Sequence, residues 1–215
     1  MAAAAPPPAD APPNRRDRIL DAAFGLLLER GYAHTSTLDI ARRAHVSKRE
    51  LYTLVGDKQT IVSTCVARRA DQLRLPLRVA PPHDQATLAA TLVRFGAGAL
   101  GHLSDPPVVA LYRLAIMGAA DAPDIARVLD TTGRATTRIA LRQVLHDAQA
   151  SGLLGPGEPE AMASAFFGLL WGDLHVRLLL GVAERPTSHA VQRRARAATE
   201  ALLRLYPAPA ASHQP

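Results

Sequence analysis

The chain has 215 residues, of which 48% are hydrophobic and 20% charged, with a formal net charge of +6 and one cysteine. That length can hold a compact domain of about 150 residues with a smaller one attached and can bury a core without staples, and a single cysteine excludes an internal disulfide. The charge is uneven: residues 1–83 carry 13 Arg and Lys against 8 Asp and Glu, a balance of +5, whereas residues 84–215 carry 12 against 11, a balance of +1. A polyanion is therefore expected to meet the amino-terminal part.

The start, MAAAAPPPADAPPN, lacks a basic n-region and a continuous apolar run, so no signal peptide is expected. Residues 1–13 and 207–215 are Ala/Pro-rich and are expected to be disordered tails. Asn14 can cap a first helix with Ile19, Leu20, Ala23, Phe24, Leu27 and Leu28 on one stripe and Gly31 at its end. Ser36 and Asp39 then form an S-x-x-D capping box, and Leu38, Ile40, Ala41 and Ala44 supply the inward side of a short helix. The chain turns at His45 and Val46, and Ser47 with Glu50 forms a second box, S-x-x-E. Leu51, Leu54 and Val55 should face inward from the helix it opens, leaving Lys48, Arg49, Tyr52 and Thr53 outside.

Two short capped helices around a three-residue turn have the dimensions of a helix-turn-helix, whose second helix reads the DNA major groove. Caps and amphipathicity alone would also fit a helical hairpin in an ordinary bundle. The chain has only two lysines, Lys48 and Lys58, and both open helices here, where an ammonium adds to the positive end of a helix and suits phosphate.

Past Gly56, Asp57 caps a helix over about 58–75, stopped by Pro76 and Pro81-Pro82. Cys65 lies in it beside Val62 and Val66 and reads as a small buried hydrophobe rather than a redox or catalytic thiol. Apolar periodic segments follow at about 84–103, 107–119 and 123–151, and a Gly155-Pro156-Gly157 turn precedes two more helices. No segment alternates with period two, so the fold class is all-α. Residues 160–180 are apolar nearly all round, yet Asp173, His175 and Arg177 interrupt them, and no segment reaches the ~18 apolar residues of a membrane span. In the last helix Val191, Ala195, Ala198, Leu202 and Leu205 form a narrow seam, either intramolecular core or, with Phe167 from the preceding helix, the interface of a two-fold dimer.

The order R-x-x-I-L-x-A-A at residues 16–23, Gly31-Tyr32, T-S-x-x-D-I-A at 35–41, V-S-x-x-x-L-Y at 46–52 and Lys58 resembles the amino-terminal domain of TetR-family transcriptional repressors over about residues 15–62. The resemblance implies a three-helix DNA-binding domain at 14–60, a linking helix to about 75, and a helical ligand-binding and dimerisation domain at 84–206. It implies that Thr35, Ser36, Tyr52 and Lys58 grip phosphates and that Ser47, Lys48, Arg49 and Thr53 sit where bases are contacted. Arg49 and Glu50 stand where the family commonly has glycine and a small residue, and Val55 replaces the usual aromatic, so operator sequence does not transfer from relatives.

Within 94–177, Phe95, His102, Tyr112, Arg113, Met117, His146, Phe166, Trp171 and His175 are candidates to line a pocket for a small-molecule effector, although aromatic and methionine side chains at helical spacing also read as core. No His lies three or four residues from another His or Cys, so no metal is expected, and neither is a cofactor. There is no nucleophile elbow and no glycine-rich phosphate loop, so no enzymatic activity is expected. The expectation is a cytoplasmic, homodimeric, ligand-responsive repressor on a palindromic operator, the alternative being a helical ligand- or partner-binding protein that has lost specific DNA recognition.

Overall fold

The computed structural model describes residues 14–77, 82–120 and 123–209. Every regular element among them is helical. The expected tails lie outside the described residues apart from 207–209, as do Pro81, Asp121 and Ala122. The chain divides into two units, one ending at Cys65 and one beginning at Val66, so the division falls inside a helix rather than in a linker.

In the first unit, α1 (Arg15–Arg30) is capped by the Asn14 side chain, which accepts from the Asp17 amide at 2.8 Å, and ends where the Gly31 amide donates to Leu27. Helices α2 (Thr37–Arg43) and α3 (Lys48–Leu54) both open on complete capping boxes, Ser36 with Asp39 and Ser47 with Glu50. Between them Ala44 is the C-cap of α2, the His45 amide donates to Arg42 and the Val46 amide to Ala41. That pair of bonds is a Schellman closure, and it places His45 at φ 53°, a left-handed conformation usually given to glycine. The core joins Ile19, Leu20, Ala23 and Leu26 of α1 to Ile40, Ala41, Ala44, Leu51, Ile61 and Cys65. Leu51 is the one fully buried side chain of α3, and its burial contributes about 1.5–3 kcal/mol to holding that helix.

Leu38 and Leu54 differ from expectation, being 44% and 38% exposed. A two-turn helix has room for few inward positions. In α2 these are Ile40 and Ala41, with Ala44 at the cap; in α3 they are Leu51 and the half-buried Val55 that follows it.

Helix α4 (Lys58–Arg74) begins in the first unit, with the Asp57 carboxylate accepting from the Thr60 amide at 2.8 Å, and continues into the second. A 3-10 turn (Leu75–Leu77) follows, then α5 (Gln85–Leu103), α6 (Pro106–Met117), α7 (Asp124–Val128), a π-helical turn (Leu129–Ala135), α8 (Thr136–Ala150), α9 (Pro159–Trp171), α10 (Leu174–Leu180) and α11 (Ser188–Leu205). Helix α5 packs against α9 and α11, and the core between them includes Leu88, Leu92, Phe95, Phe166, Leu170 and Ala195.

Three features of this unit depart from the periodicity. The segment 123–151 is helical throughout its later part but widens at 129–135, where the Thr136 and Thr137 hydroxyls donate to the Thr132 and Gly133 carbonyls at 2.6 and 2.8 Å. The apolar run 160–180 breaks at Gly172, φ 48°, and bends by 55° between α9 and α10; Arg194 donates to the Leu170 and Trp171 carbonyls there and satisfies the exposed end of α9. No single helix among the described residues is long and apolar enough to cross a membrane.

The third is the α11 seam. Val191, Ala195, Ala198 and Leu202 are buried against α5 and α9 of the same chain, and only Leu205, 60% exposed, is outside. Phe167 packs edge-on to Phe95 at 5.9 Å and Phe166 at 6.2 Å. Of the two readings of the seam, intramolecular core is the one the packing satisfies: side chains already covered by their own chain leave no surface for a second copy.

Candidate nucleic-acid interface and helical cavity

Lys48, Arg49, Tyr52 and Thr53 lie exposed on α3, with Lys48 Nζ 5.9 Å from the Tyr52 ring centroid and the Tyr52 hydroxyl 3.4 Å from that of Thr37. Thr37, the first residue of α2, therefore belongs to the same polar surface, although the capping pattern draws attention to Ser36 instead. The Ser36 and Ser47 hydroxyls serve their caps, accepting from the Asp39 and Glu50 amides at 3.1 Å each. The Asp39 carboxyl, hydrogen-bonded by the Ser36 hydroxyl, and the Glu50 carboxyl, hydrogen-bonded by Ser47, are both held below their ordinary pKa and remain anions at the helix starts. Glu50 also takes Arg15 of α1 at 2.6 Å, so the acidic residue standing where the family usually has a small one ties the reading helix to its support.

Lys58 opens α4 with Nζ 4.0 Å from the centroid of the Tyr32 ring. Partial burial lowers its pKa, so an incoming phosphate would relieve a desolvated cation. Tyr32 was visible in the Gly-Tyr motif but its role as the seat of Lys58 was not, because the two are separated by the whole helix-turn-helix. Thr35, expected among the residues that grip phosphate, is 2% exposed, and its hydroxyl donates to the Gly31 carbonyl at 2.7 Å with Leu26 O at 3.2 Å.

The second unit contains an apolar cavity of about 70 Å³ between the later half of α4, α5, α6, the π-helical turn and α8. Val66, Ala99, Val108 and Leu111 supply much of the wall, and Arg69, His102, Tyr112, Arg134 and Thr137 supply its polar groups. Burial, and then Arg69, lowers the His102 pKa and favours the neutral ring; burial raises that of Tyr112, which stays a phenol.

Of the expected pocket residues, His102 and Tyr112 line this cavity. Phe95 and Phe166 are fully buried in the core, stacked 6.0 Å apart. Arg113 donates to the Leu178 and Leu179 carbonyls at 2.7 and 2.8 Å and closes α10. Trp171 and His175 form an edge-to-face series with Tyr112, at 5.0 and 5.3 Å. Met117 is 79% exposed, and His146 is exposed beside Asp147. The wall residues that sequence reasoning missed, Arg69, Gly133, Arg134 and Thr137, carry no aromatic or histidine signal. Among the described residues no group of three or more His, Cys, Asp or Glu could hold a metal ion.

Residues 19–64 match the family described as bacterial regulatory proteins, tetR family, and residues 90–208, more than half the chain, match the AefR-like transcriptional repressor, C-terminal domain. A TetR transcriptional regulator from Agrobacterium tumefaciens is 31% identical over 90% of this chain and 95% of its own, with a TM-score of 0.75. A TetR-family regulator from Mesorhizobium loti is 25% identical over 89% and 96%, TM-score 0.72, and the flavonoid-responsive regulator FrrA is 26% identical over 91% and 98%, TM-score 0.71. No curated protein matches significantly. Regulators of this kind are non-enzymatic DNA-binding transcription factors. The chain belongs to the TetR family of transcriptional regulators.

Proposed function

We propose that this regulator is a homodimeric repressor that binds a palindromic operator through α3 and leaves it when a small molecule occupies the cavity of the second unit. The observation that carries the DNA reading is the set of exposed donors on α3, held by two capping boxes and the Arg15–Glu50 pair. Tyr52, Lys58 and Thr37 bind phosphates; Lys48, Arg49 and Thr53 reach base edges, with Ser36 and Ser47 positioning the helix starts. Two such helices must present themselves to half-sites about 34–36 Å apart, or a multiple of that, which requires a two-fold dimer.

With the α11 seam buried, the dimer face is assigned to the outward side of α9, where Ala161, Gly168 and Leu169 are exposed, together with Leu205. Small side chains there let a second helix approach closely. A ligand response is supported by the apolar cavity with convergent polar groups and by the name of one relative of the same fold, which is flavonoid-responsive.

Selection of bound fragments from genomic DNA, followed by binding to operator and scrambled duplexes at two salt concentrations, tests this reading. Tyr52→Phe and Lys58→Ala should weaken binding to every sequence, Lys58→Ala also lowering the salt slope by about one, whereas Arg49→Ala should alter sequence preference. Weak binding without sequence preference that vanishes near physiological salt would instead favour a ligand-binding protein without an operator.

A further inference from the structure

A second cavity of about 200 Å³ adjoins the first, walled by Ala115, Ile116, Ala119 and Ala126 and sharing Tyr112, Leu129 and Arg134 with it. The inner chamber alone is too small for an effector, since ligand sites run from about 300 Å³ upward. The two together, about 270 Å³, come close to that lower bound. Arg134, which lines both, donates from Nε to Asp130 of the same π-helical turn at 2.7 Å.

The polar groups around these chambers are unequal. Arg69, Arg134, His102, Tyr112 and Thr137 reach the inner one, and no carboxylate does; the only carboxylate lining either chamber, among the described residues, is Asp130, and Arg134 already holds it. A cationic ligand would meet two guanidinium groups and, of the lining carboxylates, only one that Arg134 already holds. A strongly polar neutral ligand would meet mostly alkyl wall. The Arg134–Asp130 pair is more than half exposed on both sides, so it is weakly held and its exchange for another anion is cheap.

We infer that the two chambers form one ligand site closed by the Arg134–Asp130 pair, and that the effector is an apolar carboxylic acid whose carboxylate takes Asp130's place on Arg134 while its apolar part fills the chambers. The inference rests on reading the second unit as the ligand-binding part. Tyr112 is the hinge wall of the gate: it stays a phenol, so it can donate to the same carboxylate without adding a negative charge. Gly133 lets the turn lie close to α4, since a Cβ on it would stand 3.3 Å from Val66 Cγ1, and a ligand that separates Leu129 from Tyr112 must displace this turn.

The test uses the full-length protein and two shape-matched pairs, decanoate with decanamide and 4-phenylbutyrate with 4-phenylbutanamide, with affinities from calorimetry. Each acid should bind about ten- to a hundred-fold more tightly than its amide. Arg134→Gln should abolish that preference. Asp130→Asn, which frees the guanidinium, should tighten the acids, and the exposed Arg142→Gln should change nothing. Circular dichroism of each variant establishes that it is folded. Equal binding of acid and amide, an Arg134→Gln variant that retains the preference, or no binding of either acid at about 1 mM would overturn the inference. Operator release is measured in parallel: acids that bind without releasing DNA refute the ligand-released repressor and leave the chamber chemistry standing, whereas release by acids and amides alike refutes the anion preference alone.

Discussion

Thr35→Val separates two roles for one residue. The family pattern gives this position to phosphate, but here the hydroxyl is buried and donates to Gly31 O at 2.7 Å. Valine keeps the shape, removes the donor and leaves that carbonyl without it, a cost of about 1–3 kcal/mol. A unit of some 50–65 residues has on the order of 3–10 kcal/mol of stability, so the loss is a large fraction. It should lower the unfolding midpoint by about 4–8 °C for each kcal/mol. The chain's single tryptophan, Trp171, lies in the second unit, so its fluorescence cannot report this transition. Hydrogen exchange at the buried amides of α1 to α3, with and without the substitution, reads it directly. Operator affinity at low temperature, where the unit is folded, should be unchanged. A variant of unchanged protection that binds every duplex more weakly would refute the reasoning and return Thr35 to the phosphate backbone.

The α9 face and the α11 seam should respond oppositely to charge. Leu169→Glu should separate the dimer with the second unit still folded, whereas Leu202→Glu, fully buried between α11 and its own chain, should unfold that unit; sedimentation combined with calorimetry distinguishes them, and a folded, dissociated Leu202→Glu would reverse the assignment. His45→Gly should stabilise the first unit by about 1 kcal/mol, because the closing residue of α2 at φ 53° carries a side chain where glycine has no steric cost; a lower unfolding midpoint would show that the imidazole itself contributes.

What sequence revealed and what it hid divide along a physical line. Caps are local: Asn14, Ser36, Ser47 and Asp57 each act within three residues, and all four form the expected bonds. Long-range seats are not local, and Tyr32 under Lys58, Arg15 on Glu50 and Thr37 beside Tyr52 needed the fold to bring them together. Apolar periodicity reports that a face is buried without reporting by what, which is why the α11 seam read as dimer interface as well as core. It is also blind to helix type, so a π-helical turn in 123–151 and a break at Gly172 passed as continuous helix. The aromatic-led search for a pocket led partly into the core for the same reason: Phe95 and Phe166 are large and apolar, and large apolar side chains fill space rather than line it.

Helix α4 gives the two proposed activities a common part. Its first residue is Lys58, proposed to bind phosphate, and Val66, Arg69 and Ala70 further along line the cavity. A cavity of about 70 Å³ cannot admit an effector unless one of its walls moves. The α5 and α8 walls are anchored in the large core by Leu92, Phe95, Leu100, Leu141 and Leu145, all fully buried, and moving them would open voids costing several kcal/mol each, on the scale of about 24 cal/mol per Å³. The π-helical turn has no such anchor beyond Leu129, and its carbonyls are held by threonine hydroxyls that can rotate. The turn and the α4 segment touching it at Val66 are therefore the walls that yield.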